Sequence, residues 1–161
     1  VLERIPITKA GYEALQEQVR HLKTVERPAV IRAIEEARGH GDLQENAEYE
    51  AAKERQAFLE GKIGELEHKI VCAHVIDPKK VNTDSVVFGC TVVLENLDTE
   101  EEVQYQLVGP DESDVRHGRI SVSSPLGKAM IGKKVDDEIV VQTPGGTRRY
   151  ELIDIRAESL S

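Results

Sequence analysis

The chain has 161 residues, enough for one ordinary domain or two small ones. Its formal charge of −9 divides into 11 Lys/Arg against 14 Asp/Glu over residues 1–76, and 10 against 16 over 77–161. Neither half is polybasic, which excludes the usual nucleic-acid binder and leaves any such contact local or arranged by a partner.

Thr8 is placed to cap a helix, and Tyr12, Leu15, Val19 and Leu22 follow it at helical spacing. Pro28 then interrupts, predicting a kink or a restart, because proline removes one helical hydrogen bond and crowds the preceding turn. Val30, Ile34 and Ala37 resume the apolar stripe one residue out of phase. Beyond a turn at 39–46, Tyr49, Ala52, Gln56, Leu59, Ile63, Leu66, Ile70 and Ala73 form an unbroken heptad seam. So narrow a stripe predicts one partner helix, the first segment folded back. Residues 1–76 therefore read as an antiparallel coiled-coil finger, about 40 Å long at roughly 1.5 Å per residue.

After Asp77-Pro78 the period changes to two. β-Branched runs predict strands at 86–88, 91–94, 103–108, 120–122, 139–141 and 150–155, with a hairpin turn at Thr143-Pro144-Gly145-Gly146. Ser124 can cap a short helix that has Pro125 at its first position and ends by Gly132. Residues 77–161 thus read as a small antiparallel β domain with one short helix. The whole is an α+β chain.

Cys72 and Cys90 read as small apolar side chains of a reducing compartment. No apolar run approaches the ~20 residues that cross a bilayer, and no signal-peptide pattern opens the chain. Val1 in place of an initiator Met suggests processing or trimming. The expected location is the cytoplasm.

The turn GHGDLQENAEYE concentrates acid. Asp42 and Glu45 stand three apart and share a face if the turn is even partly helical. Two carboxylates make an incomplete oxygen site for Mg²⁺, which favours a few carboxylates completed by water and phosphate oxygens. The bland alternative is capping and helix-dipole compensation at the start of the second helix. The residues themselves leave both open.

The runs EEARGHGDLQENAEYEAAKERQ, RPAVIRAI, VFGCTVVLENLDTEEE and ISVSSPLGKAMIGKKVDDEIVVQTPGG together resemble the bacterial Gre transcript-cleavage factors, GreA type, in order and over nearly the whole chain. That resemblance implies a C-terminal domain similar to the FK506-binding proteins and a finger that enters the secondary channel of RNA polymerase. It implies that Asp42 and Glu45 are the catalytic acids, holding a Mg²⁺ shared with the polymerase and not bound tightly by this chain alone. There they stimulate the polymerase's cleavage of backtracked RNA. Arg38 and Lys53 would lie near the nascent RNA 3′ end, and Ser123, Ser124 and Pro125 would contact the polymerase. Asn46 and Tyr49 would build the tip. Neither a membrane nor a small-molecule substrate is expected.

Three departures stand out: Gln44 replaces the usual Lys between the acids, Gly39 a common acid, and Lys53 a typical Arg. Lysine lacks the planar fork that binds phosphate bidentately, so these changes bear on affinity more than on class. Competing readings are an anti-cleavage relative, a plain coiled-coil adaptor, and a prolyl isomerase. The last is disfavoured by the absence of Trp and by the sparse aromatics Phe88, Tyr105 and Tyr150 in that half.

Overall fold

A computed structural model describes residues 4–39 and 46–159. Contacts divide the chain into two units: Tyr12–Cys72, and residues 1–11 together with 73–161.

The first unit is the helical hairpin. Helix α1 (Lys9–His21) runs into a π-helical turn, Leu22–Glu26, and then into α2 (Arg27–Arg38); the return helix α3 spans Ala47–Cys72. Thr8 Oγ1 accepts from Gly11 N at 3.1 Å and starts α1. The π turn explains the slipped stripe. A π turn spends one extra residue, and Arg27 N donates to Leu22 O, five residues back, so the apolar face is rotated by one position without breaking the helix. Pro28 follows in the first turn of α2. The kink or restart expected at proline is therefore a widened turn just ahead of it.

The α2–α3 pairing is antiparallel, shown by Lys23 with Glu67, Arg27 with Glu60, and Ala37 with Asn46. The seam is buried as the heptads predict. Val30, Ile34, Ala52, Leu59 and Ile63 form one apolar cluster, with Leu22, Ala33 and Tyr49 against its edges. Lys23–Glu67 and Arg27–Glu60 bind across the seam at 3.0 and 2.7 Å. Both pairs are half-exposed, so each contributes modestly.

The second unit holds two sheets. Strands β1 (Ile5–Thr8) and β2 (Ala73–Ile76) pair in parallel. Parallel strands need a long crossover, and here the intervening chain is the hairpin itself. Ala73, expected as the last seam residue of the helix, opens β2 instead. The larger sheet has the order β5-β4-β3-β7-β6, with β3 (Thr91–Asn96), β4 (Glu102–Val108), β5 (Arg119–Ser121), β6 (Glu138–Thr143) and β7 (Gly146–Arg156). Its pairings are antiparallel except β4–β5, which is parallel. The sheet is thus mostly, not wholly, antiparallel. A bulge between Val93 and Leu94 shifts the β3–β7 register, as bulges do where a sheet must curl. Two residues join β6 to β7, with Gly146 at φ +118°.

One expected strand does not form. Val86 N donates to Lys133 O at 2.8 Å and Gly132 N donates to Val86 O at 2.9 Å, so Val86 pairs with the turn that follows the short helix. Gly89, at φ +89°, then ends the extended run. The β-branched residues of 86–88 serve the core instead of a ladder, and Val86 is buried with Cys90, Val92, Leu94, Leu107, Met130, Ile139 and Leu152. Burial raises the Cys90 thiol pKa, leaving an inert apolar group.

Candidate functional site

Asp42 and Glu45 lie outside the described residues; the structure describes the two helix ends between which their segment is strung. On the α2 side, Gly39 N donates to Glu35 O and Glu36 O at 3.2 and 3.1 Å. On the α3 side, Asn46 Oδ1 accepts from Tyr49 N at 3.0 Å, satisfying one of the orphan donors of the helix start. The same side chain turns its Nδ2 to Ala37 O at 2.6 Å. One amide therefore caps α3 and ties it to the last turn of α2. The amide has a donor and an acceptor on separate atoms of one planar group, which an ionised Asp, acceptor only, lacks. The ends of the acidic segment are set by this strut.

Tyr49, half-buried, closes the seam there. Arg38 is exposed, with its guanidinium 6.0 Å from the Tyr49 ring centroid, at the outer reach of a cation–π contact. Lys53 is exposed about one turn beyond Tyr49 along α3, where its Nζ donates to Gln56 Oε1 at 3.2 Å. Exposed Glu35, Glu36, Glu48 and Glu50 surround these cations, so the hairpin end is acidic overall with isolated positive points. Among the described residues no group of three or more His, Cys, Asp or Glu could hold a metal ion. None of the described helices is long and apolar enough to cross a membrane.

The second candidate region lies where β5 meets the short helix α4 (Pro125–Met130). Ser124 Oγ accepts from Gly127 N at 3.1 Å and donates to Ser121 O at 2.6 Å, while Ser121 Oγ and Ser123 Oγ bond at 2.7 Å. Gly127 lets the helix press on the strand: a Cβ there would sit 2.2 Å from Ser121 O and 3.0 Å from Val122 Cα. The serines are held by one another, leaving Ser123 and Pro125 exposed on an ordered ledge.

Beside that ledge opens a cleft of about 270 Å³, lined by Tyr105, Val115, Leu126, Val141, Arg148 and Tyr150 among others. Sequence reasoning missed it. The lining comes from β4, β5, α4, β6, β7 and the turns beside them, so no local run announces it, although two of its aromatics, Tyr105 and Tyr150, stand out in the sequence. Burial, and then the neighbouring Tyr150, push the Tyr105 hydroxyl pKa up, while Arg148 pulls it down.

Residues 5–75 match the family model of the transcription elongation factor N-terminal domain, and residues 78–157 that of the GreA/GreB C-terminal domain. The chain belongs to the GreA/GreB family of transcription elongation factors. It is 54% identical over 156 residues to transcription elongation factor GreA of Neisseria meningitidis serogroup A, covering 96% of this chain and 99% of that protein. Against transcription elongation factor GreA of Caulobacter vibrioides it is 57% identical over 154 residues, covering 96% and 98%. Among solved structures it is similar to GreA factor homolog 1 of Thermus thermophilus at 29% identity, with a TM-score of 0.44 and coverage of 96% and 99%. The division of the family models, between residues 75 and 78, follows the change of sequence period. The contacts place the boundary a few residues earlier because β1 and β2 pair within the sheet unit.

Proposed function

We propose that this chain acts on RNA polymerase as a transcript-cleavage factor: the hairpin enters the secondary channel, and its acidic end promotes hydrolysis of backtracked RNA by the polymerase. The observation that carries the reading is the Asn46 strut, which fixes both ends of the segment bearing Asp42 and Glu45. A segment so anchored at the end of two packed helices is suited to delivering carboxylates into a centre it does not itself contain. The GreA names of relatives more than half identical along their length support the same class and favour it over an anti-cleavage relative.

Asp42 and Glu45 fit a shared Mg²⁺ and not a resident one, because two carboxylates leave most of an octahedral shell to other ligands. In such a site the ion supplies charge stabilisation at the reacting phosphodiester and lowers the pKa of bound water. The chain's own part is to hold two oxygen donors in place and to orient the attacking water by hydrogen bonds. Arg38 and Lys53 offer positive charge to the phosphates at the RNA 3′ end. Arg38 does so from a position steadied by Tyr49. Ser123, Ser124 and Pro125 form the polymerase-docking ledge, with the adjoining cleft as its apolar complement. The corresponding compartment is the cytoplasm.

Transcript release from stalled polymerase tests this. Asp42→Asn should abolish stimulated cleavage while binding to polymerase stays within about twofold of wild type, because it removes an oxygen ligand and no docking contact. Pro125→Ala should weaken docking and be rescued by excess factor. Binding and cleavage lost in parallel in Asp42→Asn would make the hairpin end an anchor and overturn the assignment.

A further inference from the structure

The first turn of α1 is held by a residue from far along the chain. Thr8 ends β1 and caps α1, and only 4% of it is exposed. The Glu112 carboxylate grips it twice: Oε2 accepts from Thr8 N at 3.1 Å, and Oε1 accepts from the Thr8 hydroxyl. The partners stand 104 residues apart in the chain. Oε2 also accepts from Gly109 N at 3.1 Å, so the acid is braced by the same tight turn, Pro110–Glu112, that carries it. Hydrogen bonds to an ionised acceptor are roughly twice as strong as neutral ones.

Two glycines leave room for this grip. A Cβ on Gly11 would lie 2.8 Å from Glu112 Cγ and closer still to the carboxylate. One on Gly109 would lie 3.0 Å from Pro6 O and 3.3 Å from Glu112 Oε2. The hairpin leaves the sheet unit at two points of the chain. At one, α3 passes into β2 by continuous main chain. At the other, β1 passes into α1, and Glu112 clasps the residue at that passage. Residues 1–11 belong to the sheet unit and Tyr12 opens the hairpin, so the clasp sits where α1 leaves the body.

We propose that Glu112 is a positioning residue: by fixing the start of α1, it lets the sheet unit, once docked, set where the far end of the hairpin stands. The inference rests on the cleavage reading and predicts a loss of rate without a loss of binding, because catalysis falls steeply when a contributing group is misplaced by about 1 Å.

Transcript release from stalled polymerase, titrated with the full chain, separates the two quantities. With Glu112→Ala the factor concentration for half-maximal release should stay within about twofold of wild type, while the rate at saturation falls roughly fivefold or more. Glu112→Gln, which keeps one acceptor oxygen, should recover part of that rate. Gly11→Ala reaches the clasp from the other side, since its methyl displaces the carboxylate, and should lower the saturated rate likewise. Combined with Glu112→Ala it should cost no more than Glu112→Ala alone, because the methyl has nothing left to displace. Circular dichroism establishes that each variant is folded. An unchanged saturated rate in Glu112→Ala, a defect that excess factor removes, or additive losses in the double variant would overturn the proposal. Nitroxides at Glu54→Cys and Lys134→Cys test it without polymerase: the distribution of distances between them should broaden in Glu112→Ala, and one as narrow as wild type overturns it. A wild-type chain that leaves cleavage unstimulated would instead sink the proposed function, with the distance distributions still deciding the clasp.

Discussion

In the hairpin, Ile63 and Leu66 are each 2% exposed, yet the stripe they belong to is one residue wide and its neighbours Gln56 and Ile70 remain half-open. In the sheet unit, Val92, Leu94, Leu107, Met130, Ile139 and Leu152 are all fully buried, enclosed by strands and α4 on several sides. The first is a core in one dimension and the second a core in three. A seam resists change locally, because each layer touches only the layers above and below it. An enclosed core transmits strain, because a displaced group has nowhere to go. The hairpin thus takes up change layer by layer, whereas the sheet unit takes it up as one body.

The largest effect that sharpens this contrast is at Gly127. Gly127→Ala forces a Cβ to within 2.2 Å of Ser121 O, a backbone atom that cannot swing aside. It should destabilise the sheet unit by about 3 kcal/mol, at the upper end of overpacking costs. Amide exchange is expected to accelerate in β3 and β7 while α3 amides keep their protection. Equal loss in α3 would mean that the two regions unfold as one cooperative body.

Asn46→Ala comes next. It removes the cap of α3 and the strut to Ala37 together, and should cost about 1–2 kcal/mol of hairpin stability. The loss should appear as fraying of the first turn of α3 in hydrogen exchange, with cleavage stimulation falling more than polymerase binding. Asn46→Asp, which keeps the acceptor and loses the donor, should recover the cap and not the strut.

The smallest effect is electrostatic. The hydrogen bond from Arg27 holds the Glu60 carboxyl below its ordinary pKa of 4.5. A carboxyl depressed in the folded state contributes stability above its unfolded pKa and loses it as pH falls through the folded value. Glu60→Gln should therefore remove a small stabilisation that is present at neutrality, and its difference from wild type should fade as pH falls below about 4.5, leaving a flatter acid limb. An unchanged acid limb would show that the pair is idle in solution.

How much was legible follows from the same contrast. The seam from Tyr49 to Ile70 was readable because a heptad is a local pattern, and so were the Ser124 cap and the two-residue β6–β7 turn. The phase slip after Leu22 was visible too, although its cause, a π turn and not a break at Pro28, needs the backbone to see. The sheet unit hid what depends on distant segments. Val86 satisfies its backbone on residues 132 and 133 and forms no strand, β5 runs parallel to β4, and each residue of Ile5–Thr8 finds its partner 68 residues later, as in Ile5 with Ala73 (73 − 5 = 68). The cleft around Tyr105 and Tyr150 is assembled from segments spread between β4 and β7. As to the site, the positions of Arg38, Asn46, Tyr49 and Lys53 at the ends of α2 and α3 follow from the helix limits. The donor–acceptor division of the Asn46 amide does not follow from any one-dimensional pattern.

The Mg²⁺ dependence of RNA cleavage by stalled polymerase tests most directly whether the hairpin delivers oxygen donors to a centre that belongs to another molecule. With saturating factor, half-maximal cleavage should need clearly less Mg²⁺ than polymerase alone, and a chain carrying Asp42→Asn with Glu45→Gln should return the requirement to the polymerase's own value while still bound. A requirement that is the same with wild-type factor, with the double variant and with none would contradict it.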